Sequence, residues 1–172
     1  MEEEVSELLP GDLLVVQNPG WFSRLIAIFT ISKFTHVACY VGLIDGKPTV
    51  VEARPTGICR TSLYEFDSIK KVETHLPLTD NQRAIAVAYW LSEEGSGYGF
   101  LDIAAMALTR IKIRPKFLVK KAQNDNRVVC SQLAANGYHK AGYEMFNPAV
   151  DPWFVAPADI AQAWFDYLDA RA

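Results

Sequence analysis

The sequence is poor in the features that assign a protein quickly. Only three of its 172 residues are cysteine, Cys39, Cys59 and Cys130. So odd and sparse a set argues against a disulfide framework and fits reduced thiols in a reducing compartment. Neither the cysteines nor His36, His75 and His139 show the C-x-x-C or H-E-x-x-H spacing common in zinc sites, so no metal is expected. Charge of one sign is also scarce. Lys and Arg number 17 against 20 Asp and Glu, a formal net charge of -3, which supplies no general attraction to nucleic acid. Long hydrophobic runs are missing: the longest, Leu25 to Ile31, falls far short of the roughly 18 to 20 residues that span a bilayer. The acidic opening MEEEVSELLPGD lacks the basic start and apolar stretch of a secretory signal. The expected location is therefore cytoplasmic, unless a phage lysis system or virion delivers the protein. G-S-G-Y-G at 95–99 lacks the full dinucleotide fingerprint and follows a helical pattern rather than a strand, so it reads as a turn and no cofactor is expected.

What is present is a core. Half the residues are hydrophobic and 12% aromatic, enough for one globular domain over 1–172, with no repeat or low-complexity linker to divide it. The first half reads as β. Asp12 to Gln17 is a short strand, and Asn18-Pro19 opens a helix with Leu25, Ile26 and Phe29 on one face. Thr35 to Ile44 is a strand, Asp45-Gly46 a hairpin turn and Thr49 to Ala53 its return, with further strands at Gly57 to Thr61 and Lys70 to Leu76. The second half is helical. Thr79 and Gln82 form a capping-box pattern ahead of a helix ending at Glu94, and another helix covers Leu101 to Arg110. A third starts near Cys130 with the stripe Leu133, Ala134, Gly137, Tyr138 and Ala141, stopping at Gly142. The last begins at Pro157 and turns Ile160, Ala161, Trp164 and Leu168 to the sheet. The class is α+β, helices packed on an antiparallel sheet.

Chemistry concentrates at few positions. A cysteine in the first turn of a helix meets free N–H groups and a partial positive charge, which stabilise a thiolate. Cys130 has that position, although a small buried hydrophobe fits it too. His36 shares a strand face with Ala38 and Tyr40, opposite Val37, Cys39 and Val41. It serves either as a base facing the thiol or as a core histidine satisfied by a carbonyl. Glu52 is the acid best placed to orient that imidazole. A two-residue turn at Asp45-Gly46 sets Glu52 opposite Cys39, on the wrong face, unless a bulge or longer loop shifts the register.

In this order T-H-V-A-C-Y-V-G at 35–42, V-V-E-A at 50–53 and V-V-C-S-Q-L-A at 128–134 resemble the circularly permuted branch of the NlpC-type papain-like hydrolases. That branch includes YiiX-like proteins and lecithin retinol acyltransferase-like enzymes. P-G-D-L-L-V-V at 10–16, G-S-G-Y-G-F at 95–100 and A-P-A-D-I-A at 156–161 extend the resemblance over most of the chain. It implies a permuted papain-like fold in which the histidine strand precedes the cysteine helix, with Cys130 as nucleophile, His36 as base and Glu52 as the third group. It also implies that Tyr98 helps hold the oxyanion. Tyr40 is the competitor, but it lies about 13 Å along the strand from His36 at about 3.3 Å per residue and reads as packing. The chain departs from the family at Gln132, where many relatives have glutamate, and in lacking an export signal.

The expected activity is a cysteine-dependent hydrolase or acyltransferase acting on an amide, ester or thioester through an acyl-enzyme on Cys130, its partner a peptide-amide or acyl-lipid substrate. The alternatives are a peptidoglycan endopeptidase of a lysis system and a non-catalytic binding or virion component. Residues 110–121 alternate Arg110, Lys112, Arg114 and Lys116 with Ile111, Ile113 and Phe117. The stretch fits either peripheral contact with an anionic lipid surface or a solvated edge. In the lipid case Trp21, Phe22 and Ile26 would be candidates for an apolar groove.

Overall fold

The computed structural model describes residues 8–17, 32–99, 127–146, 151 and 155–172. The expected helices at Asn18-Pro19 and Leu101 to Arg110, the basic stretch 110–121 and the groove candidates Trp21, Phe22 and Ile26 lie outside them. Five strands, β1 (Leu13–Val16), β2 (His36–Ile44), β3 (Lys47–Arg54), β4 (Gly57–Ser62) and β5 (Lys71–Thr74), form an antiparallel sheet in the order β4-β3-β2-β1-β5. Helices α1 (Asp80–Ser92), α2 (Cys130–Lys140) and α3 (Pro157–Asp169) follow. The class is α+β, and none of the described helices is long and apolar enough to cross a membrane.

Both faces of the sheet centre are buried, which explains the unbroken apolar run Leu13-Leu14-Val15-Val16 in β1. Leu13, Val15, Val37, Cys39 and Val51 pack with the helices, meeting Trp90, Leu133, Tyr138 and Ile160. The other face gathers Leu14, Val16, Ala38, Tyr40 and Val50 with Leu63 and Phe66, which come from a 3-10 turn at Leu63–Phe66 that the sequence did not signal.

The hairpin that carries the site has an irregular ladder. Asp45 and Gly46 take φ of 51° and 73°, as a tight two-residue turn requires, and Ile44 pairs with Lys47. Gly42 pairs with Thr49 but Tyr40 with Val50, leaving Val41 as the extra residue of a bulge. Gly42 has φ of 94°, and a Cβ there would meet the Pro10 ring at 3.3 Å, so the bulge needs glycine. Beyond it Glu52 faces Ala38, on the side of His36 rather than of Cys39.

Two sequence expectations are corrected. Gly97–Tyr98 is a short strand, β6, paired in parallel with β7 (Arg127–Val128), because the turn is completed earlier, at Gly95 with φ of 86°. Ser96 then docks on β4, accepting the Ile58 N–H at 3.0 Å. In α3 the buried stripe ends at Trp164 and Leu168 is 44% exposed, since the helix outruns the sheet. The Thr79–Gln82 capping box, the α2 stripe and the Gly142 stop (φ 71°) form as expected.

The Pro10-Gly11-Asp12 segment is anchored by charge. Asp12, fully buried, accepts from Arg83 Nη1 at 2.7 Å and from the Leu9 N–H at 2.9 Å, while Arg83 Nη2 donates to the Leu76 carbonyl at 2.7 Å. This pair ties the entry of β1 to α1, and truncating one partner strands the other away from water. Asp12→Ala is expected to lose about 3–5 kcal/mol of folding free energy in urea denaturation; a loss under about 1 kcal/mol would show that the pair is not structural.

Candidate active site

Cys130 opens α2, and the helix end is prepared for it. Val129 has no side-chain oxygen with which to cap, so Gln132 Oε1 turns back and accepts the Val129 N–H at 3.3 Å. The cap is made by a neutral amide. The N–H groups of the first turn, with their partial positive charge, surround the Cys130 position, and Cys130 itself is 3% exposed.

His36 is the first residue of β2. Strand alternation places it on the face away from the helices, and it meets Cys130 where both elements begin. Its Nε2 lies 2.8 Å from Glu52 Oε2. The Cys130 side chain lies near enough to the imidazole to favour its protonated form; with Nε2 engaged by Glu52, Nδ1 is the nitrogen left to face it. Cys130, His36 and Glu52 thus form one buried line, with the histidine in the middle. Glu52 Oε1 is held from the other side by Arg54 Nε at 2.9 Å and Nη2 at 2.8 Å, and the nearby Thr61 hydroxyl also favours its charged form. Arg54 Nη2 in turn reaches Glu65 Oε2 at 2.8 Å.

Electrostatics follow from these contacts. Burial by itself lowers the pKa of His36, but hydrogen bonds and charge interaction with Cys130 and Glu52 outweigh it and hold the group well above its ordinary value, at about 10. Burial would lift Glu52; the hydrogen bond and charge of His36, the Thr61 hydroxyl and the Arg54 charge override it and hold the carboxyl down at about 2. At neutral pH the imidazole therefore rests protonated beside an ionised carboxylate.

Of the four residues singled out in the sequence, the fold brings three together. The Tyr98 backbone pairs with Val128, two residues before Cys130; its side chain lies outside the described residues. Tyr40 packs in the second cluster with Val16 and Val50. Cys39 is buried on the helix side beside Tyr138, where desolvation pushes its thiol up, away from the site. Arg54 and Thr61 escaped sequence reasoning. The signal for Arg54 was present: residues two apart on a strand share a face, and Glu52 and Arg54 carry opposite charges. Among the described residues no group of three or more His, Cys, Asp or Glu side chains gathers so as to hold a metal ion.

No family model matches the sequence, and no curated protein matches it. Among solved structures the fold resembles the metalloprotein YiiX from Escherichia coli O157:H7, with a TM-score of 0.60 at 18% identity over 84% of this chain and 77% of that one. The chain has a YiiX-like fold. At that identity the likeness is one of architecture, and the site must be argued from its own side chains.

The two pKa shifts fix the sign of a pH test. A group held up, like His36, contributes stability in full below its ordinary 6.5 and loses it as pH rises through about 10; one held down, like Glu52, contributes in full above its ordinary 4.5 and loses it as pH falls towards 2. Urea-denaturation stability is expected to be greatest between about pH 4.5 and 6.5. His36→Ala should flatten the alkaline decline and Glu52→Gln the acid one. Wild-type stability that climbs steadily from pH 6.5 to 10 would contradict the assignment.

Proposed function

We propose that the protein is a cysteine-dependent hydrolase or acyltransferase of the permuted, NlpC-type papain-like kind, working through an acyl-enzyme on Cys130. The observation that carries the reading is the buried cluster in which one imidazole bonds the Glu52 carboxylate at 2.8 Å and interacts with the Cys130 side chain at the start of a helix. A structural histidine needs one partner; a general acid–base needs a nucleophile and an orienting group, and His36 has both.

In the proposed reaction the proton shared by the pair rests on His36, and the Cys130 sulfur, as thiolate, attacks the carbonyl carbon of an amide, ester or thioester. The carbonyl electron pair moves to oxygen, where the Cys130 backbone N–H and the Tyr98 hydroxyl are the proposed donors. Collapse of the tetrahedral intermediate expels the amine, alcohol or thiol, which takes its proton from His36. Water or another acceptor then gives a proton to His36 and attacks the thioester, releasing the acyl group and leaving the Cys130 thiolate beside the protonated His36. Glu52 fixes the tautomer and orientation of the ring throughout. Peptide-amide and acyl-lipid substrates both suit this chemistry. YiiX is described as a metalloprotein; the steps proposed here use the chain's own side chains.

The first test is alkylation of Cys130 by iodoacetamide, resolved from Cys39 and Cys59 by mass spectrometry. An unassisted thiol is only a few per cent ionised at neutral pH, so His36→Ala is expected to slow Cys130 alkylation by roughly tenfold or more while leaving the other two cysteines unaffected. An acyl adduct on Cys130 during turnover of a peptide-amide or acyl-lipid analogue would then identify the substrate class. A folded protein whose Cys130 reacts at the same rate with and without His36 would favour a non-catalytic binding component.

A further inference from the structure

The Arg54 guanidinium converges through two nitrogens on a single oxygen of Glu52. Nε and Nη2 both reach Oε1, at 2.9 and 2.8 Å, while Oε2 is left to His36 Nε2 at 2.8 Å. The carboxylate is almost fully buried, whereas 42% of the Arg54 side chain remains exposed. Glu65 holds the guanidinium from the solvent side through Nη2. We infer that Arg54 is a positioning residue for the proposed thiol chemistry, clamping one Glu52 oxygen so that the other can only face His36. The inference rests on the catalytic reading of Cys130 and His36.

Two physical arguments support it. A glutamate has three side-chain torsions, and a buried carboxylate held only by its histidine could trade oxygens or swing aside as the ring changes charge. Contact of that one oxygen with two nitrogens of a planar guanidinium removes that freedom. The second argument concerns charge. A buried carboxylate with no other cation would hold the imidazolium proton too tightly for transfer to a leaving group. Sharing Glu52 with Arg54 weakens that hold while keeping the carboxyl ionised. Among the described residues, the titratable or charged groups facing Glu52 are His36 from β2, Cys59 across the ladder on β4 and Arg54 on its own strand. Cys130 from α2 faces His36, and Glu65 faces Arg54.

The test is the pH profile of Cys130 alkylation from pH 3 to 9 in wild type, Arg54→Gln and Arg54→Lys. The control is Arg60→Gln, which removes a cation of similar exposure that pairs with Glu94. In Arg54→Gln the neutral-pH rate is expected to fall several-fold, and the pH at which reactivity is lost on acidification to rise by about one unit, as for a carboxyl losing an adjacent cation. Arg54→Lys keeps the charge without the two-nitrogen clamp, so it should restore the position of the acid limb but not the full rate. Arg60→Gln should change neither. Arg54→Gln overlaying wild type would overturn the inference, as would an equal shift in Arg60→Gln. If Arg54→Gln does not fold, Arg54→Lys decides: a wild-type rate at neutral pH overturns the clamp. Should wild-type alkylation prove independent of His36, the catalytic reading fails and this inference falls with it; if only the Arg54 variants behave as wild type, the catalytic reading stands.

Discussion

The site depends on one extra residue in one strand. The tight turn at Asp45-Gly46 sets the hairpin register so that, continued unbroken, Glu52 would lie opposite Cys39 and point into the helix-packed core among Val37 and Leu133. An ionised carboxylate there, with no partner, would cost several kcal/mol. Val41 bulges, the count slips by one, and because strand side chains alternate, every β3 residue beyond the bulge changes face. Glu52 then lies with His36, and Val51 takes the core position. The bulge in turn depends on Gly42, whose positive φ and close approach to Pro10 leave no room for a side chain.

With that register the two faces of the sheet have different work. On the helix face, apolar contacts fix α2 against β2, and Gly137 lets α2 approach α1 closely: an added Cβ would sit 3.0 Å from the Tyr89 ring. The position of Cys130 is thus set by packing along α2, before any polar contact at its N-terminus. On the other face, polar groups orient the histidine. The neutral cap from Gln132 fits this division. A glutamate at that position would cap equally well, but its charge would lie beside the cysteine and oppose negative charge on sulfur, partly cancelling the helix end. An amide satisfies the Val129 N–H without that conflict.

Most of the fold was legible because it follows from periodicity and punctuation. Thr79 and Gln82 announce a helix start, Asp45-Gly46 a hairpin, and the α2 stripe the side that is buried. Cys130, His36 and Glu52 were legible as candidates from residue type and order, and the resemblance implied one site, but the face of Glu52 stayed open because it turns on a bulge that resembles an ordinary strand-interior glycine. Gly42 was the available clue, since a glycine within a strand pattern often marks such an irregularity. Other features could not be read from local pattern. Whether G-S-G-Y-G ends in a turn or a strand depends on a partner, β7, some thirty residues away. Leu168 keeps the helical period of Ile160 and Trp164, but periodicity does not say where the sheet stops. Arg54 was missed because the third group was sought as an acid alone, without asking what neutralises a buried acid.

That last question separates scaffold from site. Among the described residues two carboxylates are buried against arginines, Asp12 with Arg83 and Glu52 with Arg54, and by residue type they look alike. Their hydrogen bonds end differently. Asp12 takes short bonds from Arg83 and from a backbone N–H, with His75 more distant at 3.5 Å, and Arg83 ends on backbone carbonyls. No member of that network leads to a group positioned to make or break a bond, so its consequence is rigidity. Glu52 gives one oxygen to its arginine and the other to an imidazole that interacts with the thiol at a helix start. Beyond Arg54, this line consists of side chains that can exchange a proton. The same cost of burying charge yields an anchor in the first case and, in the second, the side chains on which the proposed thiol chemistry rests.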